Sequence, residues 1–223
     1  MTTKPTAGVR QARGKATAPK ARGAASSDEA GTRSAILAAA LEAFSRDGFD
    51  GASLPKIARA ANVGHPLIHY YFGSKDNLWR QTVEHAFGGL ISEVAMIEAA
   101  SRDLSPLDRL RVLIRVFTLF AARYPSHLGL IMSEARADTE RLSWLQTNFL
   151  GDFVGRLRRI LAEAQAAKQI KEMPIKHLDL IIVGAVVLYF GVNFKQPEDV
   201  SIEKLAADHA DCVLEAILRG IAL

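Results

Sequence analysis

Residues 53–75 read Ser53-Leu-Pro-Lys-Ile-Ala-Arg-Ala-Ala-Asn-Val-Gly-His-Pro-Leu-Ile-His-Tyr-Tyr-Phe-Gly-Ser-Lys75. Ser53 suits a helix N-cap, and Pro55 is tolerated in a first turn because the N–H groups there lack intrahelical partners. Leu54, Ile57, Ala58 and Ala61 give this short helix an apolar face. Asn62 falls where a tight turn between helices wants a left-handed residue, a conformation Asn tolerates. Val63 fills the angle, and Gly64 opens a second short helix with Pro66 in its first turn. Ile68, Tyr71 and Phe72 turn inward, which leaves His65, Pro66, Leu67, His69 and Tyr70 outward. Two short helices joined by so tight a turn match a helix-turn-helix, whose second helix enters the major groove. The outward face carries imidazoles, a phenol, a proline and a leucine but no acid, a set that can meet base edges, thymine methyls and phosphates.

Upstream, Ile36, Leu37, Ala40, Leu41 and Phe44 recur at the spacing of one helical face, and Asp47-Gly48 ends that helix. Downstream, Lys75 to about Ala100 continues as a long helix. Pro106, Pro125, Pro174 and Pro197 then divide the chain into helical runs near 107–123, 126–134, 139–169, 175–194 and 201–219. Strand and hairpin signals are nearly absent. The expected fold is all-α, with about nine helices.

The 53–75 string resembles the TetR family of one-component regulators. Ser53, Ile57-Ala58, Ala61-Asn62-Val63-Gly64 and the run Ile68-His69-Tyr70-Tyr71-Phe72-Gly73-Ser74-Lys75-Asp76-Asn77-Leu78 follow the family pattern. Ala39-Ala40-Leu41-Glu42-Ala43-Phe44, with Asp47-Gly48-Phe49, is similar to the family's first helix. The likeness spans about residues 32–79. Three positions depart from it: Asn62 replaces a usual Gly, Gly64 a usual Ser cap, and His69 a common phosphate-contacting Tyr.

The resemblance implies a DNA-binding domain at 28–79 and a helical ligand-binding and dimerisation domain at 80–223; residues 1–27 are expected, from their composition, to be a disordered basic tail. DNA contacts are expected from Ser53, Lys56, His65, Pro66, Leu67, His69, Tyr70 and Lys75. The expected partners are double-stranded DNA carrying an inverted-repeat operator, a second copy of the chain, and a small apolar or aromatic effector. Action would be that of a repressor released by the effector, or of a DNA-binding protein controlled by a protein partner instead. The resemblance also implies that the two most apolar helices, Leu178 to Phe194 and Ile202 to Leu223, form a four-helix dimer interface. Packing inside one chain is the competing account.

For the effector, Phe117, Phe120, Met132, Trp144, Tyr189 and Asn193 are candidates to line a pocket, with Phe149 and Phe190 nearby; such aromatic sets more often form core. Glu134 and Arg136 are candidate polar points.

Charge permits this reading without carrying it. Residues 1–27 hold six of the 28 basic side chains and no acid, which leaves 22 basic residues against all 24 acidic ones elsewhere. The tail is too poor in large apolar residues to offset its ordering entropy. It is either a solvated leader or an arm for phosphates. Residues 28–75 balance five acids against five bases.

Other chemistries find little footing. His65 and His69 have the i, i+4 spacing of metal ligands, but no Glu-x-x motif or cysteine accompanies them, so no metal is expected. The single cysteine, Cys212, lies in an apolar helix and reads as a buried small hydrophobe. No phosphate loop, dinucleotide fingerprint or nucleophile elbow is present, so neither catalytic residues nor cofactors are expected. The longest uncharged stretch, Leu180 to Phe194, is short for a membrane span, and no secretory signal opens the chain. A soluble cytoplasmic protein is expected.

Overall fold

A computed structural model describes Met1 and residues 22–137, 140–192 and 196–221, with side chains described at 29–137, 140–192 and 196–217. Among the described residues the chain is helical, without strands. Nine helices follow one another: α1 (Arg22–Gly51), α2 (Leu54–Ala60), α3 (His65–Phe72), α4 (Lys75–Ala100), α5 (Pro106–Arg123), α6 (Pro125–Ala137), α7, α8 (Ile175–Gly191) and α9 (Ile202–Ile221). Helix α7 is continuous through Glu140–Leu145, a π-helical turn at Gln146–Leu150, and Gly151–Ala166.

The expected tail 1–27 falls mostly on residues 2–21, which lie outside the described residues. Helix α1 already begins at Arg22, inside that stretch. The stop expected at Asp47-Gly48 is a break rather than an end. Gly48 has φ 69°, a left-handed value that costs a glycine little, and the chain resumes one further turn to Gly51.

Three helix starts have a serine cap. Ser74 and Ser105 accept hydrogen bonds from the backbone N–H of Asn77 and Asp108, and Ser201 accepts one from Lys204. Asp108, drawn to the Ser105 hydroxyl and to Arg111, has its carboxyl held below the usual carboxylate range. Helix α7 ends before the expected 169 because Lys168 adopts φ 56°, closing a left-handed cap from Gln169 N–H to the Ala164 carbonyl.

Three apolar clusters follow. The first joins α1–α4 to the larger body, because Leu130 of α6 and Leu145 of α7 are buried together with Phe44, Phe72, Trp79 and Phe87. The second packs the far end of α4 with α5, α7, α8 and α9. The third fills the space between α5, α6, α8 and α9. Helices α1 and α6 meet closely at Gly129, where a Cβ would come within 2.1 Å of Ser45 Oγ. There Ser126 Oγ also donates to Glu42 at 2.6 Å.

The two apolar helices behave differently. Helix α9 buries Ala206, Ala210, Val213, Leu214 and Ile217 within the chain. Helix α8 leaves Leu180 (70% exposed), Ile181 and Leu188 (61%) open, and Val192 just past its end is exposed as well. Cys212 is exposed, which corrects the buried placement expected for it. It falls on the side of α9 away from Val213 and Leu214, and an apolar helix has such a side whenever only one face meets its own core. Among the described residues, no helix is long and apolar enough to cross a membrane, and no three metal-ligating side chains converge.

Candidate nucleic-acid interface

Helices α2 and α3 are short, so their placement depends on turns and on a few buried side chains. Ser53 is extended (φ −110°, ψ 119°) and accepts through its carbonyl from Ile57 N–H at 2.9 Å, while its hydroxyl makes no cap bond. Asn62 takes φ 54° as the turn requires, and Val63 N–H closes back onto the Ala58 carbonyl at 2.9 Å. Gly64 supplies an extended N-cap without a side-chain bond. At the far end Gly73 takes φ 70°, and Asn77 Nδ2 donates to the Phe72 carbonyl at 2.9 Å, fixing α3 against α4.

Ile68 and Phe72 are almost fully buried and Tyr71 is half-buried, so one side of α3 is anchored in the first cluster. His65, Pro66, Leu67, His69 and Tyr70 all lie exposed on the other side, Tyr70 at 77%. Lys56 is exposed on α2 and Ser53 is half-buried at its start.

Two of these residues have partners that sequence spacing does not reveal. His69 Nδ1 lies 3.3 Å from the Gly73 carbonyl, and its ring meets His65 edge-on at 4.9 Å. Lys75 is half-buried; its ammonium donates to the Asp50 carbonyl at 3.3 Å and sits 4.8 Å from the Phe49 ring centre. It thus braces the turn after Gly48. Arg46 grips Asp47 through two bonds of 2.8 Å, and this pairing holds the Asp47 carboxyl below its usual range.

Behind the module lies a cavity of about 100 Å³ between α4, α5, α6, α7 and α8. Phe117 and Phe120 line it, as does Phe149. The other expected lining residues sit elsewhere. Trp144 packs on Trp79 and touches the cavity only through Phe149, at 5.4 Å between ring centres. Met132 borders a separate cleft against α1 that also holds Arg46 and Arg136. Tyr189 stacks on His209 at 4.2 Å across α8 and α9. Asn193 lies outside the described residues. Glu134 is buried but faces Arg141, at 3.2 Å, rather than the cavity. Of the five candidates among the described residues, Phe117 and Phe120 meet at the cavity while Met132, Trp144 and Tyr189 do not, because they come from other helices whose relative rotations no local spacing encodes. Sequence reasoning missed Phe87, Leu90 and Val187, which line the cavity and carry no signal beyond ordinary apolar periodicity.

His127 stands just outside the cavity. Its ring meets Phe87 and Phe120 edge-on at 5.4 and 5.3 Å, and its Nδ1 has no hydrogen-bond partner. Burial pushes its pKa below the ordinary histidine value.

A solvent-open reading helix braced by a tight turn, carried on a larger helical body, defines a helix-turn-helix DNA-binding regulator. Residues 36–82 match the bacterial regulatory proteins of the tetR family. The transcriptional repressor NicS of Pseudomonas putida is 27% identical over 197 residues, covering 85% of this chain and 92% of that protein. Among solved structures, HlyIIR, a hemolysin II transcriptional regulator, shares the fold with a TM-score of 0.69 at 24% identity, over 85% of this chain and 98% of that one. AibR, solved with isovaleryl coenzyme A and operator DNA, shares it with a TM-score of 0.69 at 18% identity, over 84% and 98%. Residues 36–82 thus carry a DNA-binding domain of the tetR type, and over most of its length the chain is similar to a DNA-binding transcriptional regulator rather than to an enzyme.

Proposed function

We propose that this regulator is a cytoplasmic repressor that binds an inverted-repeat operator as a homodimer and is released by a small apolar or aromatic effector. The observation that carries the reading is the acid-free, solvent-open side of α3, held rigid by buried Ile68 and Phe72. In this reading His65, Pro66 and Leu67 face bases. Tyr70, Lys75 and the backbone at Ser53 hold phosphates, with Lys56 and His69 flanking them. Lys75 spends one of its three N–H donors on Asp50, which leaves two for a phosphate oxygen.

Dimerisation is supported by the exposed Leu180, Ile181 and Leu188 of α8 and Val192 just past its end, apolar side chains of the kind that mark an association surface. Repression is supported by the likeness to NicS, a transcriptional repressor, and an effector by the isovaleryl coenzyme A bound in AibR. The effector acts by preferring one arrangement of the two DNA modules. Helix α4 is the lever, because Phe87 at the cavity lies on the same rod as Lys75, about 18 Å along it at 1.5 Å per residue.

The test is to compare an inverted repeat with its isolated half-site in direct binding assays at moderate salt. Two modules on successive major grooves should bind the repeat, with centres about 34–36 Å or a multiple apart, far more tightly than the half-site. Equal affinity for both would rule the dimeric reading out.

A further inference from the structure

The walls of the cavity are chemically one-sided. Fourteen of its fifteen lining residues are apolar, and none is Arg, Lys, His, Ser, Thr, Asn or Gln. The exception is Asp152. Its side chain is half-exposed and its carboxylate is held by Arg156 at 2.9 Å, while the same guanidinium also pairs with Glu98. Asp152 therefore stands at the rim with its charge already balanced. His127 is not among the lining residues and packs edge-on against Phe87 and Phe120, which are.

A ligand group that could hydrogen-bond would enter this space unpartnered, at a cost of roughly 2–7 kcal/mol for a neutral group and far more for a charge. The dimensions are equally restrictive. An apolar cavity of roughly 150 Å³ holds benzene, and this one, at about 100 Å³, is smaller still, so a single small ring already fills it and a larger body has no room.

We infer that the effector is a neutral, unfunctionalised apolar molecule about the size of one aromatic ring or a short branched hydrocarbon. Carboxylates, amines and acyl thioesters are excluded from the cavity. An anionic carrier left outside the rim would meet the acid Asp152 and an arginine already engaged twice. This inference rests on the proposal that an effector acts through this cavity.

Three probes sharing one ring decide it: toluene, benzoate and benzylamine, added to the full chain with and without a duplex selected from random sequence. Toluene should shift the tryptophan fluorescence through Phe149 and Trp144, and weaken duplex binding by about 5–150-fold. Benzoate and benzylamine at equal concentration should have less than a tenth of that effect. Val187→Phe and, separately, Val183→Phe fill the cavity from α8 and should abolish the toluene response, with folding checked by circular dichroism. Binding of benzoate or benzylamine as tight as that of toluene would overturn the inference. So would a folded Val187→Phe or Val183→Phe chain that still responds, toluene binding that leaves duplex affinity unchanged, or no binding of toluene at all. Failure of the unliganded chain to bind any inverted repeat would instead overturn the regulator's proposed mode of action, a result independent of probe fluorescence measured without DNA.

Discussion

The indole rings of Trp79 and Trp144 lie 5.6 Å apart, centre to centre, at the junction between the DNA-reading module and the body that holds the cavity. They are the only two tryptophans of the chain. Trp79 is fully buried, yet its Nε1 has no hydrogen-bond partner. Trp79→Phe therefore loses packing volume but no hydrogen bond, and should cost clearly less than Trp79→Ala, for which roughly 3–5 kcal/mol is expected. Urea unfolding of both variants checks this; a loss for Trp79→Phe as large as that for Trp79→Ala would overturn it.

Lys75 does two jobs, and a pair of variants separates them. Lys75→Ala should weaken every duplex alike and lower the salt slope by about one unit. It should also loosen the turn at Phe49-Asp50, seen as a modest drop in melting temperature. Lys75→Arg should restore most of the salt slope. By contrast, His65→Ala should change preference at particular base pairs, by roughly 1–3 kcal/mol for a good contact. Binding assays against single-base operator variants over a salt series distinguish the two patterns.

The close approach of α1 and α6 makes Gly129 and Ser45 interdependent. In the native background Gly129→Ala should destabilise, because the new methyl meets Ser45 Oγ. With Ser45→Ala already in place the same change should be neutral or stabilising, since Ala gains up to about 1 kcal/mol of helix propensity over Gly. A double-mutant cycle with a coupling below about 0.5 kcal/mol would show that the helices part freely.

Stability should depend on pH through His127 and His209, both of which burial holds below the ordinary histidine pKa. At His127 the Ala86 carbonyl and Glu42 oppose the shift and His85 adds to it, but burial dominates. The unfolded chain therefore binds protons more readily than the folded one. The stabilisation of the neutral rings is complete above the unfolded pKa of about 6.5, and is lost as pH falls toward the lower folded values. Chemical unfolding at pH 7.5 and 5.5 should show lower stability at the acid end. His127→Phe, set among Phe87, Phe120 and Tyr124, should flatten part of the difference.

What could be read from the sequence followed the range of the interactions. The reading module was legible because its determinants lie within a few residues of one another. Asn62 and Gly73 turn the chain, Ser74 caps α4, and Ile68 and Phe72 alternate with an exposed face at helical spacing. The cavity was not legible, because Phe87, Phe117 and Val187 meet only after five helices have packed. Trp144 is instructive: its composition suggested a pocket wall, but the shape of the junction turned it onto Trp79. Cys212 was misplaced because periodicity says that a helix has an apolar face without saying how far round that face extends.

The π turn at Gln146–Leu150 has a consequence for how α7 serves two cores at once. Its hydrogen bond from Gly151 N–H to the Gln146 carbonyl spans one residue more than an α-helical bond, and a Cβ at Gly151 would come within 2.8 Å of that carbonyl. One extra residue in a turn offsets everything beyond it by about 100° around the axis, given 3.6 residues per turn. Before the turn α7 presents Trp144 and Leu145 to the cluster shared with the DNA module; after it, Leu157, Ile160, Leu161 and Ala164 face the second cluster. The helix is thus two differently phased rods welded together. Removing a single residue from the weld would bring the two halves into step and aim one set of leucines at solvent, so a length change here should be tolerated far less than one in the connections on either side.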